Sequence, residues 1–219
     1  MTKLISIVLL FLLNLFSLSM YAQKDMLIEQ LSDKLVIREN FDKNKNLINK
    51  QTFKVGKVKE TNAYLEIDVV TELFDKNGKI TDKYATIYRC KPNESSIMVM
   101  VFPFSKVKSK ETKINSISKN FKELYNISNL KDIEMQINFD SGLLNFFGSK
   151  SKIKMYDRVL ESNGVSNVIK SKLNAKAYAL GLRIKQYNYI VTEKLTIEGS
   201  LTFQKFKEED GSYFTMTYK

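Results

Sequence analysis

Three carboxylates, Glu66, Asp68 and Glu72, share one parity along the chain, which puts them on one face of an extended strand. Acids so placed could hold a cation or divide acid and base roles between them. The alternating positions are Leu65, Ile67, Val69, Thr71 and Leu73. The pattern therefore reads as a strand with one dry and one wet face, the acids on the wet one. Asp42-x-Asn44-x-Asn46 mimics the start of a calcium loop, but Leu47 stands where the sharp turn needs glycine and Phe53 where the bidentate glutamate belongs. That segment reads as a turn. Cys90 is the single cysteine, so it forms no internal disulfide; it is either a free thiol or a small buried strand residue, the commoner fate of cysteine. Histidine is absent. That removes Ser-His-Asp and Cys-His nucleophiles, histidine bases and histidine metal sites. No nucleophile elbow, phosphate loop or dinucleotide fingerprint occurs. The expectation is a protein that is not an enzyme, with no catalytic residue, metal ligand or cofactor.

The formal net charge is +11, carried by 35 basic residues of which only Arg38, Arg89, Arg158 and Arg183 are arginine. Lysine is a solvated point charge, whereas the arginine fork reads phosphates and base edges. The excess reads as a solvated basic surface, open to anionic lipid or polysaccharide, and no nucleic-acid partner is expected.

Residues 1–22 run Met-Thr-Lys, an apolar stretch from Leu4 to Met20, then Tyr21-Ala22 before Gln23. One positive charge, an apolar core and a small residue at the end make a secretory signal peptide. Asn14, Ser17 and Ser19 interrupt the stretch, which leaves it marginal as an anchor. Cleavage after about Ala22 is expected, with 23–219 forming a single β-rich extracytoplasmic domain, periplasmic or extracellular, and no later membrane span. An exported fold without disulfides suits a bacterial envelope.

The element pattern is one of short strands and turns. Phe41-Asp-Lys-Asn-Lys-Asn-Leu-Ile-Asn-Lys50 recurs as Phe74-Asp-Lys-Asn-Gly-Lys-Ile-Thr-Asp-Lys83. Asn77-Gly78 predicts a type I′ hairpin turn. Two hairpins, 34–59 and 62–90, form an antiparallel meander. Ile97–Phe102 is a continuous apolar run and reads as a strand buried on both faces. Ile114, Ile117, Phe121 and Leu124 fall at steps of three and four, which predicts an amphipathic helix near 110–125, its stripe covering the sheet. Ile133–Phe139 alternates as a strand, 150–172 is ambiguous, and Tyr178, Leu180, Leu182 and Ile184 alternate with Ala177, Ala179 and Gly181 opposite. Tyr187, Tyr189 and Val191 continue in a shifted phase, which signals a bulge or turn near Gln186. Asp210-Gly211 closes a last hairpin.

A strand, Phe74-Asp-Lys-Asn-Gly-Lys79, a second strand, then Tyr88-Arg89-Cys90 resembles a TapB-like secreted bacterial family of unknown function. The resemblance lies mainly over residues 34–100. It implies an antiparallel sheet curled into an open half-barrel, similar to the lipoprotein carriers of the bacterial envelope, and no catalytic residues. The fold expected is mainly β (α+β), with the one helix.

Gly142-Leu143-Leu144-Asn145-Phe146-Phe147-Gly148 sets four large apolar residues between glycines, either a rim that meets a ligand or a plug for one end of the core. The leading reading is a non-catalytic envelope protein that binds a lipid, another apolar ligand or a partner in the hollow of the sheet. Leu143, Leu144, Phe146, Phe147, Tyr178, Leu180 and Leu182 would line the site, and Ala177, Ala179 and Gly181 would make room. The alternative is a solid-cored module docking on an envelope complex through its lysine-rich face. Tyr64, Tyr84 and Tyr88 could line a groove, or pack across strands.

Overall fold

Alternating apolar and polar residues, broken at short turns, give a chain of strands. The structure is a computed structural model describing residues 31–61, 64–90, 111–119, 124–140, 149–162, 164–179 and 182–219. The apolar stretches 4–20 and 97–102 and the segment 142–148 lie outside them. The strands are β1 Leu35–Phe41, β2 Leu47–Val55, β3 Lys59–Glu60, β4 Leu65–Asp75, β5 Ile80–Cys90, β6 Glu111–Lys119, β7 Ile133–Asp140, β8 Ser149–Ser162, β9 Asn167–Ala179, β10 Leu182–Leu195, β11 Leu201–Lys207 and β12 Tyr213–Tyr218. They form one sheet in the order β2-β1-β12-β11-β10-β9-β8-β7-β6-β5-β4-β3. Every ladder is antiparallel except the short β5–β6 seam, where Ile87–Arg89 runs parallel to Glu111–Lys113. Strand β2 also pairs β4, Asn49–Val55 against Val69–Asp75, so the sheet curls back toward its own start. The mainly β, curled, antiparallel architecture is as expected, and the hairpins over 34–59 and 62–90 are β1–β2 and β4–β5.

The inner face of the curl is the core. Val36, Ile67, Ile133, Met155, Ile169, Val191, Phe206 and Met216 are all fully buried there, each contributing about 1.5–3 kcal/mol of apolar burial. On the outer face Glu66 pairs Arg89 at 2.8 Å, Asp68 pairs Lys59 at 2.7 Å and Glu72 pairs Lys83 at 2.8 Å. The three carboxylates are thus neutralised one by one along a single face of β4.

Three expectations are corrected. The helix expected near 110–125 is not borne out, since Glu111–Lys119 is strand β6, paired with β7 from Lys113↔Asp140 to Lys119↔Glu134. Thr112, Ile114, Ser116, Ile117 and Ser118 are weak helix formers, and β7 offers this segment a full ladder of backbone hydrogen bonds. Leu124, the last residue of the presumed stripe, is buried in the turn that follows.

Asn77-Gly78 does not form a two-residue type I′ loop. Asp75 N–H donates to the Lys79 carbonyl at 2.9 Å, Gly78 N–H to the Asp75 carbonyl at 3.1 Å, and only Gly78 (φ 82°) has positive φ. This is a type I turn closed by a left-handed residue, the three-residue loop with a G1 bulge. The Asp75 carboxylate selects it by accepting from Asn77 N–H and Lys79 N–H, each at 2.9 Å. The first repeat copies it, with Asp42 accepting from Asn44 and Asn46 N–H at 2.8 Å and Lys45 (φ 68°) in the glycine position. The calcium-loop mimic therefore spends its first carboxylate on its own backbone.

Residues 178–184 are not one strand. β9 ends at Ala179, β10 begins at Leu182, and Leu182 pairs Ala179. The phase shift after it is a register break between Arg183 and Lys185, two residues before the tyrosines that revealed it.

Candidate ligand cavity

The curl has two unlike ends. Arg158, on β8, is turned inward by a bulge: Tyr156 pairs Lys172 and Val159 pairs Lys170, so Asp157 (φ 54°) and Arg158 together face Ser171. One extra residue resets the alternation and re-aims the side chain. Arg158 donates to the backbone carbonyls of Leu124 and Lys131, the latter at 3.1 Å. Glu193, 0% exposed on β10, lies 4.0 Å from it. Glu193 accepts from Tyr125 Oη at 2.9 Å and from Gln204 Nε2 at 2.7 Å, and Tyr218 donates to Gln204. Burial pushes the Glu193 carboxyl above its ordinary range, against the pull of Arg158 and the two donors. Segment 124–132 thereby plugs this end, with Leu124 and Tyr125 seated in the core.

At the other end, past Tyr189 and Phe214, lies a cavity of about 370 Å³. Strand direction sets the depth of each lining residue. On β1 the chain climbs from buried Val36 through Arg38 and Asn40 to Phe41; on β10 it descends from Lys185 through Tyr187 to Tyr189. Arg38, Tyr189, Phe214, Ile153 and Ala175 make the floor, while Phe41, Ile48, Ala177, Lys185, Tyr187 and Tyr213 stand toward the rim. Ser151, Ser212, Asn40 and Glu208 add polar points.

The lining aromatics fall into two groups. Phe41 stacks on Tyr213 at 4.8 Å, Tyr187 on Tyr189 at 6.0 Å, and Tyr189 meets Phe214 edge-on at 5.6 Å. The Arg38 guanidinium lies 4.2 Å from the centre of the Phe214 ring, and its Nε donates to Asn40 Oδ1 at 3.0 Å. Burial lowers the Arg38 pKa. Burial, then the charge of Glu208, raises the Tyr189 hydroxyl well above its ordinary value, and that hydroxyl is hydrogen-bonded to Glu208. Lys185 sits 4.6 Å over the Tyr187 ring.

Of the residues expected to line a site, Leu143, Leu144, Phe146, Phe147 and Leu180 lie outside the described residues. Tyr178 does not line the cavity, and Leu182 is 72% exposed on the β10 tip. Ala177 does line it, with Ala175 below; Gly181 lies outside the described residues. Tyr88 is buried in the core and Tyr64 and Tyr84 are off the cavity. Tyr187, Tyr189 and Tyr213 also line the cavity, and strand alternation alone does not single them out. One cue lies in the pairing of Tyr187 with Ala175, a large residue opposite a small one on the inward face.

Compared with known proteins, the chain matches no family model and no curated protein. Among solved structures it is similar to a candidate lipoprotein from Parabacteroides distasonis, at 11% identity and a TM-score of 0.45, over 89% of this chain and 96% of that one. It is also similar to a candidate exported protein with a YmcC-like fold from Bacteroides fragilis, at 10% identity and a TM-score of 0.39, over 85% of this chain and 94% of that one. Likeness at this level assigns neither family nor activity, and the TapB-like resemblance remains a resemblance.

Proposed function

We propose that the protein is a non-catalytic exported envelope protein that holds an apolar ligand in the open end of its curled sheet. The observation that supports this reading is the cavity itself: about 370 Å³, within the range of small-molecule sites, walled by aromatic and aliphatic side chains with polar and charged groups among them. Export rests on the signal-like residues 1–22. A non-catalytic role rests on the chemistry left without histidine and on the engagement of Glu66, Asp68 and Glu72 in surface ion pairs. An apolar fluorescent probe titrated into the purified protein is expected to bind with saturation. Ala177→Trp, which fills the rim, is expected to weaken it at least tenfold while leaving the melting temperature within a few degrees. Absence of saturable binding to the parent protein overturns the reading.

A second reading, a docking module, is favoured by one observation. Leu182 and Ile184 are 72% and 65% exposed beside Arg183 and Lys185. Association with anionic vesicles that weakens between low and high salt, and fails in Leu182→Ser/Ile184→Ser, is its expected signature.

A further inference from the structure

We infer that the cavity, read as above as a ligand site, takes a single-chain amphiphile with an anionic head, bound head-down with the head at Arg38. The inference begins with the place of the charge. Arg38 is on the floor, one alternation above fully buried Val36, while the apolar rim residues Phe41, Ile48 and Tyr213 lie above it. A cation at the bottom of an aromatic shaft orients an amphiphile: the head goes down and the chain lies along the rim wall. The guanidinium is held in place by Phe214 and Asn40, so little rotamer freedom is lost when an anion meets it.

Charge balance supports the same polarity. On the inward face the lining carries Arg38 and Lys185 against one carboxylate, Glu208, while Lys176 alternates with Ala175 and Ala177 and faces the other way. Glu208 is hydrogen-bonded to Tyr189 and its charge acts on Lys185. The cavity therefore favours an anion and disfavours a cation. At a site shielded from water, a charge-assisted hydrogen bond is stronger than at the surface. Burial also lowers the Arg38 pKa, the direction in which an incoming anion is welcome.

The test is displacement of the apolar probe at pH 8 by dodecanoate, dodecanol and dodecyltrimethylammonium, all below their micelle concentrations. Dodecanoate is expected to bind about tenfold or more tightly than dodecanol, the increment of one charge-assisted hydrogen bond, with the ammonium weakest. Arg38→Met is expected to bring the carboxylate-to-alcohol ratio near one without weakening dodecanol, and Arg38→Lys to retain part of it. Lys185→Ala, at the rim, is expected to leave most of the ratio; a ratio that follows Lys185 instead overturns the assignment to Arg38. If Arg38→Met fails to fold, the parent ratio and the Arg38→Lys and Lys185→Ala variants still decide. Equal binding of carboxylate and alcohol sinks the anionic-head inference and leaves the ligand site standing. Displacement by none of the three, with no saturable probe binding, removes both.

Discussion

Single residues carry the strain and the buried charge. Gly78 has φ 82°, and an added Cβ would meet nothing within 4 Å. Gly78→Ala therefore isolates backbone strain and is expected to cost about 1 kcal/mol in chemical denaturation. The matched change Lys45→Gly, at φ 68° in the first repeat, is expected to be neutral within about 0.5 kcal/mol, as relieved strain offsets the added freedom of the unfolded chain. Glu193 is the more consequential residue. Its carboxyl is pushed up by burial, so its contribution to stability is full below the unfolded value of about 4.3 and is lost as pH rises through the folded value. Glu193→Gln is expected to flatten the decline in melting temperature above that range. Glu193→Ala strips partners from Tyr125, Gln204 and Arg158 together and is expected to cost roughly 3–5 kcal/mol. A Gln variant whose pH profile matches the parent would rule out this titration. The inward place of Arg38 was legible, since it continues the parity of Val36. That of Arg158 was not, because an extra residue in β8 reverses the phase and nothing in Asp157-Arg158 advertises it.

The elements differ in how firmly they are held. β9 pairs along its full length with β8 and β10, whereas β5 meets β6 through three residues of parallel ladder and β3 is two residues long. Amide hydrogen exchange is expected to be slowest over Ile169–Ala175 and fastest in β3, with the β5 edge facing β6 in between. Protection at Lys59–Glu60 equal to that of β9 would contradict this ranking. Alternation made β1, β4, β7 and β12 readable. It failed at β6, where two isoleucines three residues apart fit a helix as well as a strand, and the neighbour that decides the matter lies some twenty residues downstream in β7. It failed differently between β9 and β10, where hairpin and single strand share one apolar rhythm.

At the scale of the molecule, the sheet has a sealed end and a hollow one. The buried cluster of Arg158, Glu193 and Tyr125 closes the first; the turns after β1 and β11 border the second, where Phe41, Ile48, Glu208, Ser212 and Tyr213 join its wall. The ligand readings belong to this scale, because no single segment contains the cavity. That is also why the site was half visible. The small residue Ala177 stood out, but the aromatics opposite it come from β1, β10 and β12, and only the folded order of strands makes them neighbours. Ala177→Trp and Arg38→Met thus test different properties: whether the hollow is occupied, and by what charge.

The ladder between β1 and β12 has a consequence in time. Leu35 N–H donates to the Lys219 carbonyl and Lys219 N–H to the Leu35 carbonyl, each at 3.0 Å, so the first described strand waits for the last. Contacts of such long sequence separation make folding slow, on the order of milliseconds to seconds or longer. A chain that crosses a membrane from its amino end would have to clear that barrier completely before β1, already paired with β2, finds its second partner in β12. Such a chain would stay threadable until its final strand arrives. Removing residues 213–219 is accordingly expected to leave it unable to refold from denaturant at any concentration low enough to avoid aggregation.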